Sequence, residues 1–88
     1  MDLKDLRYFV AAYEAKSFKG ATDALGTVTS NVSMRIRGLE EFLGVPLFVR
    51  ARRCVVPTAQ GELLYGHAKN VIAKVEETER AVRMQSAA

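Results

Sequence analysis

The sequence contains few of the residues on which metal centres and extracellular folds depend. Among its 88 residues there are one cysteine, one histidine, two prolines and no tryptophan. The single cysteine, Cys54, cannot form an internal disulfide, which fits a reducing compartment. The histidine, His67, has no cysteine or carboxylate around it at a metal-ligand spacing, so we expect it at the surface or in an interface rather than in a metal site.

Catalytic and membrane-spanning patterns are also absent. The six glycines are scattered instead of forming a phosphate-binding loop, and there is no nucleophile elbow. No apolar run approaches the roughly 20 residues that cross a bilayer, and residues 1–5 lack the basic and then apolar pattern of a signal peptide. We therefore predict a cytoplasmic protein that is not an enzyme, holds no cofactor and has no membrane partner.

The composition is that of one small globular domain with an uneven charge. Hydrophobic residues make up 49% of the chain and charged residues 26%. Residues 1–57 contain nine lysines and arginines against six acidic residues, whereas residues 58–88 contain four of each. Five arginines fall within one short stretch: Arg35, Arg37, Arg50, Arg52 and Arg53. Such a cluster is either a contact surface for phosphates or a solvated charged face.

Apolar spacing predicts two helices at the start of the chain. The first covers about residues 2–15 and has Asp2 as its N-cap. Its apolar face consists of Leu3, Leu6, Phe9, Val10 and Tyr13. Ser17 is positioned to cap a second, short helix, which ends at Gly26, a residue free to adopt positive φ.

A third helix, a hairpin and a long final helix follow. The third helix starts near Thr29 and stops at Gly44, and its inward side is Val32, Ile36, Leu39 and Leu43. The extended segments 47–49 and 54–56 flank a basic tip, which predicts a two-stranded wing with Cys54 as a half-buried strand residue. Thr58 is a capping residue for a last helix that contains no proline.

The last helix carries an apolar seam with the spacing of a heptad repeat. The seam consists of Leu64, Ala68, Val71, Val75, Thr78 and Val82. A fully helical segment of this length is about 45 Å long, which exceeds what a head of fifty-odd residues can cover. We therefore expect the seam to pair with the same helix of a second copy.

The order of these elements is that of a winged helix-turn-helix, in which the third helix enters the major groove of DNA. With its apolar residues inward, its outward face is Ser30, Met34 and Arg37, flanked by Asn31, Ser33 and Gly38. Short polar side chains let the helix approach the duplex, and Met34 can contact a thymine methyl group. The alternative for Ser30, Asn31 and Ser33 is capping and ordinary surface polarity.

Arginine at the tip of a hairpin suits a narrow minor groove or a phosphate. The candidate DNA-binding residues are therefore Thr29, Ser30, Asn31, Ser33, Met34, Arg37, Arg50, Arg52 and Arg53. For Arg50 a second interpretation stays open, in which it pairs with Glu40 or Glu41 beneath the wing.

Several fixed spacings make the chain resemble the N-terminal DNA-binding domain of LysR-type transcriptional regulators. They are Ser17-Phe18-x-x-Ala21-x-x-x-Leu25, Val32-Ser33-x-x-Ile36-Arg37-x-Leu39-Glu40-x-x-Leu43-Gly44-Val45, Leu47-Phe48-x-Arg50-x-x-Arg53 and Thr58-x-x-Gly61. The resemblance covers nearly the whole chain. It implies a mainly α fold, a three-helix head with a two-stranded β wing in residues 1–57, followed by a long dimerisation helix in residues 58–88.

The chain departs from the family pattern at the start of the third helix. Members usually carry Ser or Thr followed by Gln where Val28 and Thr29 stand here, and an arginine is frequent at Met34. We expect Thr27 or Thr29 to cap this helix in place of Val28. Base specificity is therefore not carried over, and an unusual operator is expected.

The resemblance implies sequence-specific binding of an interrupted inverted repeat in double-stranded DNA by a homodimer. A complete regulator continues into an effector domain that is absent from this chain. Binding of a small-molecule effector, and assembly into a higher oligomer, would depend on that domain. Two alternatives are an interaction module that pairs with a full-length regulator and an architectural DNA binder without sequence preference.

Overall fold

The computed structural model describes residues 1–86, which form four helices and one small sheet. In chain order the elements are α1 (Leu3–Ala15), α2 (Phe18–Leu25), α3 (Thr29–Leu43), β1 (Phe48–Arg50), β2 (Val55–Pro57) and α4 (Ala59–Ser86). The first three helices and the hairpin form a head, and α4 packs along one side of it. This is the mainly helical, winged helix-turn-helix architecture predicted from the sequence.

Local capping signals determine where the first two helices begin and end. The Asp2 carboxylate accepts from the amide of Asp5, and the Asp5 carboxylate accepts from the amide of Asp2, so the two residues form a capping box. The Ser17 hydroxyl accepts from the amide of Gly20 at 3.0 Å. Gly26 and Gly44 end α2 and α3 with φ of 64° and 74°, the left-handed conformation predicted for Gly26.

The core of the head lies where the three helices meet the base of the wing. Its largest fully buried side chains are Phe9, Ile36, Leu39, Leu47 and Val32. The ring centroid of Phe48 lies 5.3 Å from that of Phe9 and 5.8 Å from that of Phe18. Aromatic contact at these distances adds to the stabilisation from burial, so the wing is anchored to α1 and α2 through one phenylalanine.

The wing strands lie one residue later than the sequence predicted. The strands pair antiparallel, with Val49 opposite Val56 and Arg50 opposite Val55. Leu47 lies before β1 and is buried in the core, and its amide donates to the carboxylate of Glu40 in α3 at 2.7 Å. Cys54 lies outside β2 and is exposed, so its prediction as a half-buried strand residue was wrong.

Helix α4 begins where the wing returns to the head. The Thr58 hydroxyl accepts from the amide of Gly61 at 3.0 Å, which confirms Thr58 as the capping residue, and donates to the carbonyl of Pro46 at 2.7 Å. A Cβ atom at Gly61 would collide with the carbonyl group of Leu47. Glycine is therefore required here because α4 starts in close contact with the backbone of the head.

Two tyrosines join α4 to α1 along an antiparallel contact. The rings of Tyr13 and Tyr65 are stacked with centroids 3.8 Å apart and planes 8° from parallel. The Tyr13 hydroxyl donates to Glu62 and the Tyr65 hydroxyl donates to Glu14, each at 2.6 Å. We call these four residues the tyrosine junction. Lys69 also lies 3.4 Å from Glu14, so charged groups flank the stacked rings.

Candidate nucleic-acid interface

The first turn of α3 is not capped by a threonine side chain. Val28 occupies the N-cap position in extended conformation and makes no side-chain capping bond. The carbonyl of Val28 accepts from the amides of Asn31 and Val32 at 3.1 and 3.2 Å. The expectation that Thr27 or Thr29 caps the helix was therefore wrong. The Thr27 hydroxyl instead accepts from the Asn31 amide group at 2.9 Å.

The outward strip of α3 lies at the surface as the helical spacing predicted. Thr29, Ser30 and Arg37 are exposed, and Met34 is 62% exposed. Helix α3 also exposes Phe42 and Leu43 near its C-terminal end, so Met34 is the exposed apolar residue of the N-terminal half of the helix. The strip therefore presents hydroxyls, a flexible apolar group and a guanidinium to whatever approaches it.

The side chain of Asn31 is largely occupied within the protein. Its amide nitrogen donates to the hydroxyl of Tyr8 at 3.1 Å and to that of Thr27 at 2.9 Å. Both donors of the amide are thus used to join α3 to α1 and to the preceding turn. The side-chain carbonyl oxygen of Asn31 therefore remains as the acceptor for a ligand.

Arg35 lies in the arginine cluster but belongs to the head. Its guanidinium is 2.9 Å from the Asp5 carboxylate, and its Cζ lies 5.2 Å from the ring centroid of Tyr8. Burial alone would raise the pKa of Asp5, but the hydrogen bonds from the Asp2 amide and Arg35 outweigh burial and lower it. Arg35 therefore holds α3 against α1, and the phosphate-contact interpretation of the cluster does not extend to it.

Arg50 connects the wing to two helices. Its guanidinium donates to the Ser33 hydroxyl at 2.9 Å, and its Cζ lies 4.8 Å from the ring centroid of Phe18. The alternative in which Arg50 pairs with Glu40 or Glu41 was wrong, because its partners are Ser33 and Phe18, and the Glu40 carboxylate accepts from the backbone amides of Leu47 and Phe48. Arg50 is a partly structural residue, but with a different partner from the one predicted.

Arginines of the cluster also lie exposed on α3 and at the tip of the wing. Arg37 is exposed on α3, and Arg52 and Arg53 are exposed at the tip of the wing. Among the acidic groups, Asp5 and Glu14 lie on α1, and Glu40 faces the base of the wing. These exposed arginines, partly offset by the exposed Glu41 of α3, can attract an anionic polymer.

The predicted seam of α4 divides into two parts. Ala68 is 1% exposed and packs in the core of the head, and Leu64 is partly buried against that core. An intermolecular role was therefore the wrong prediction for Ala68, because the residue is covered by its own chain. Val71 and Val82 are 45% and 63% exposed, Val75 is half-buried, and Thr78 is exposed.

The tyrosine junction was missed by the sequence analysis. A signal for it exists in the sequence, since Tyr13-Glu14 on α1 and Glu62-x-x-Tyr65 on α4 each place a tyrosine beside a carboxylate. Hydrogen bonding from Tyr65 lowers the pKa of Glu14, and hydrogen bonding to Glu62 raises the pKa of Tyr13. These groups fix the direction in which α4 leaves the head.

Neither a metal site nor a membrane span is found within residues 1–86. No group of three or more His, Cys, Asp or Glu side chains could hold a metal ion. No helix in this part of the chain is long and apolar enough to cross a bilayer.

Comparison with known proteins decides the family. Residues 3–62 match the model of the bacterial regulatory helix-turn-helix proteins of the lysR family. The chain belongs to the lysR family. It is a DNA-binding domain of that family and not an enzyme.

Relatives of this lysR-family chain are transcriptional regulators. It is 40% identical over 83 residues to the Hca operon transcriptional activator HcaR of Escherichia coli K12, a match that covers 94% of this chain and 28% of the relative. It is 39% identical over 77 residues to the regulator BenM of Acinetobacter baylyi, a match that covers 88% of this chain and 25% of BenM. The lysR-family chain thus spans less than a third of the length of either relative.

Solved structures similar to this lysR-family chain include complexes with DNA. The DNA-binding domain of BenM bound to catB site 1 DNA superposes with a TM-score of 0.96 and 34% identity, covering 100% of this chain and 99% of that one. The corresponding complex of CbnR has a TM-score of 0.93 and 26% identity, covering 98% and 99%. The similarity includes α4 as well as the head.

Proposed function

We propose that this chain binds double-stranded DNA sequence-specifically as a homodimer, with α3 in the major groove and the wing against the adjacent backbone. The observation that carries the proposal is the exposed strip of α3 beside the exposed arginines of the wing. Asp5 and Arg35, by contrast, are occupied by one another. DNA bound by the related domains of BenM and CbnR supports the same use of this surface.

Different side chains of α3 have different roles in this proposal. Ser30 and Thr29 lie in the first turn, where free amide groups and short hydroxyls suit a phosphate or a base edge. Met34, which is 62% exposed, contacts the methyl group of a thymine. Arg37 lies one turn further on, where its guanidinium reaches a phosphate or the acceptor edge of a guanine.

The wing contributes affinity through charge. Arg52 and Arg53 are exposed at its tip and lie outside both strands of the wing. Each contact between an arginine and a phosphate releases counterions from DNA, so binding that depends on them weakens as salt is added. We therefore assign Arg52 and Arg53 to the DNA backbone or to a narrow minor groove.

The homodimer is proposed to form along the exposed part of the α4 seam. Successive residues of a helix are rotated by about 100°, which places Val71, Val75, Thr78 and Val82 on one face of α4. Among the residues that contact the head, Leu64 and Ala68 share this face nearer the start of α4, and Tyr65 and Ile72 lie roughly a quarter-turn away. One helix can therefore pack against its own head and against a second α4 at the same time.

Selection of bound sequences from a random DNA library tests the function directly. We expect the chain to enrich an interrupted inverted repeat whose half-site centres lie about 34–36 Å apart, or a multiple of that distance. Enrichment of no motif with binding retained would instead identify an architectural DNA binder. No binding at all would favour the interaction module, and either result would contradict the proposal.

Charge substitutions on α4 test the dimer. The double variant Val71→Asp and Val82→Asp places four aspartates in the proposed interface, at a cost of several kcal/mol. Both side chains are exposed in the single chain, so the fold should persist. Leu63→Asp is the control, since Leu63 is 66% exposed but off the seam. Analytical ultracentrifugation should find a monomer for the double variant and a dimer for the control. A dimer in both cases would place the interface elsewhere.

The whole protein is proposed to contain further parts. The relatives are three to four times longer than this chain, so an effector domain that binds a small molecule and promotes a higher oligomer would lie outside it. Because bacterial chromosomal DNA lies in the cytoplasm, we propose that compartment as the site of action.

A further inference from the structure

The guanidinium of Arg50, in β1, contacts two helices of the head at once. Arg50 is the last residue of β1, its Nη2 donates to the Ser33 hydroxyl of α3 at 2.9 Å, and its Cζ lies 4.8 Å from the ring centroid of Phe18 in α2. Phe18 is 8% exposed, so this ring gives the guanidinium a fixed support. We call these three residues the Arg50 clamp.

The clamp limits what the Ser33 hydroxyl can do. A serine hydroxyl has one donor hydrogen and two acceptor lone pairs. Because an arginine can donate but never accept, the bond from Arg50 uses a lone pair of Ser33 and leaves its hydrogen available. Ser33 is half-buried beside the exposed Met34 and Ser30, so the hydrogen can reach a group that approaches the same face.

The three wing arginines differ in this respect. All three are exposed, but Arg50 is also held by a hydrogen bond and an aromatic ring. A guanidinium held in this way is suited to fixing the relative position of the wing and α3. Its planar shape is essential for that role, because lysine has neither the fork of donors nor the flat face that stacks on a ring.

We propose that Arg50 is a positioning residue for sequence recognition: it locks the wing to α3 and presents Ser33 as a hydrogen-bond donor to an acceptor on a base edge. Purine N7, guanine O6 and thymine O4 are the acceptors of the major groove. This inference rests on the proposed function, since it concerns how that DNA-binding surface distinguishes bases.

Four single variants and the double variant of Arg50→Lys with Ser33→Ala separate positioning from charge. Arg50→Lys keeps the charge and loses the clamp, Ser33→Ala removes the hydroxyl, and Arg53→Lys is the matched control at the wing tip. Arg53→Ala calibrates the loss of one phosphate contact. The DNA probes are the duplex most enriched from a random library by the unmodified chain and a duplex of the same composition in shuffled order.

We expect the variants of the clamp to lose preference for the selected DNA sequence while the salt dependence of their binding stays the same. Arg50→Lys and Ser33→Ala should each reduce the ratio of affinities for the two duplexes about five- to tenfold, the low end for a base contact. The double variant should lose no more than the larger single effect, because the two residues act as one unit. Arg50→Lys should leave the salt dependence unchanged, while Arg53→Ala lowers its slope by about one.

A measurement without DNA keeps the inference independent of the proposed function. In NMR spectra of the free chain, Arg50→Lys should shift the resonances of Ser33 and of the Phe18 ring, and Arg53→Lys should not. Unchanged Ser33 and Phe18 resonances, or an Arg50→Lys variant that prefers the selected duplex as strongly as the unmodified chain, would overturn the inference. If the unmodified chain bound both duplexes equally while the resonances shifted, the proposed function would fail and the clamp would still hold.

Discussion

The surface between α1 and α4 and the surface formed by α3 and the wing use polar side chains in opposite ways. At the tyrosine junction each hydroxyl donates to a carboxylate at 2.6 Å, and the rings stack at 3.8 Å. On α3 and the wing, Ser30, Arg37 and Arg53 are exposed. Polar groups that satisfy one another maintain shape, whereas exposed groups of one charge are available to a partner.

The difference means that stability and recognition should respond to different substitutions. Changes at the contact of α4 with the head should alter unfolding and leave base preference intact. Changes on the exposed strip of α3 should alter base preference and leave unfolding intact. Arg50 is an exception on the surface of α3 and the wing, since it is exposed but has intramolecular partners in α2 and α3.

The largest effect is expected at the start of α4. Gly61→Ala should reduce the free energy of unfolding by about 1–3 kcal/mol, because its Cβ would collide with the Leu47 carbonyl. Gly66→Ala is the matched control in the same helix, where a Cβ has nothing within 4 Å. The control should be more stable than the unmodified chain by about 0.5–1 kcal/mol. Urea denaturation at one fixed chain concentration measures both. Equal stability of the two variants would mean that α4 does not approach Leu47 closely.

A smaller effect on stability is expected when Arg35, which pairs with Asp5 inside the head, is compared with Arg53, which is exposed at the wing tip. Arg35→Ala should destabilise the head, because it leaves Asp5 and the contact between α1 and α3 without their partner. Arg53→Ala should unfold at the same urea concentration as the unmodified chain but bind every DNA sequence more weakly. Its log–log salt slope should fall by about one. Loss of DNA affinity in Arg35→Ala beyond what its unfolding explains would contradict the separation of the two surfaces.

The pH dependence of stability gives a third and smaller test. Because the folded pKa of Glu14 is lowered by the hydrogen bond from Tyr65, this bond stabilises the fold above the pKa of the unfolded glutamate. Its contribution is lost as the pH falls through the lowered folded value. Tyr65→Phe should therefore lower the Tm at pH 7, and the difference from the unmodified chain should shrink as the pH falls below about 4. A difference that stayed constant down to pH 2 would rule out the linkage.

The smallest effects are expected on the exposed strip. Met34→Ala should weaken preference for one thymine in each half-site by about 1 kcal/mol, because the apolar contact is lost while phosphate contacts remain. Thr29→Gln should create a new base preference at the outer edge of each half-site. Neither should change the Tm. Three identical consensus sites from library selection with the unmodified chain and both variants would show that α3 does not determine the sequence bound.

Local signals allowed much of the fold to be predicted from the sequence. Asp2 and Ser17 cap their helices, and Gly26 adopts its predicted conformation, because each feature involves residues three or four positions apart. The prediction of the cap of α3 was wrong because the cap depends on a contact between residues far apart in the sequence. The Thr27 hydroxyl bonds to Asn31, and Asn31 also bonds to Tyr8, which is 23 residues away in sequence. No local pattern could predict that choice.

The candidate site was predictable in position but not in detail. Helical spacing correctly placed Ser30, Met34 and Arg37 at the surface, since it depends on rotation along one helix. The partners of Arg35 and Arg50 depend on contacts between elements, so charge alone grouped the two residues with Arg52 and Arg53. Likewise, a heptad pattern cannot distinguish an apolar residue covered by its own head, such as Ala68, from one left for a second chain.

The tyrosine junction also fixes the angle of a long helix, and this angle determines where the far end of the helix lies. Helix α4 has 28 residues, which corresponds to about 42 Å. In a dimer joined along this helix, a tilt of about 5° at the stacked rings moves the far end by about 4 Å, close to the 3.4 Å rise of one base pair. The angle held by Tyr13 and Tyr65 would thus act as a ruler, and the number of base pairs between two half-sites would record it.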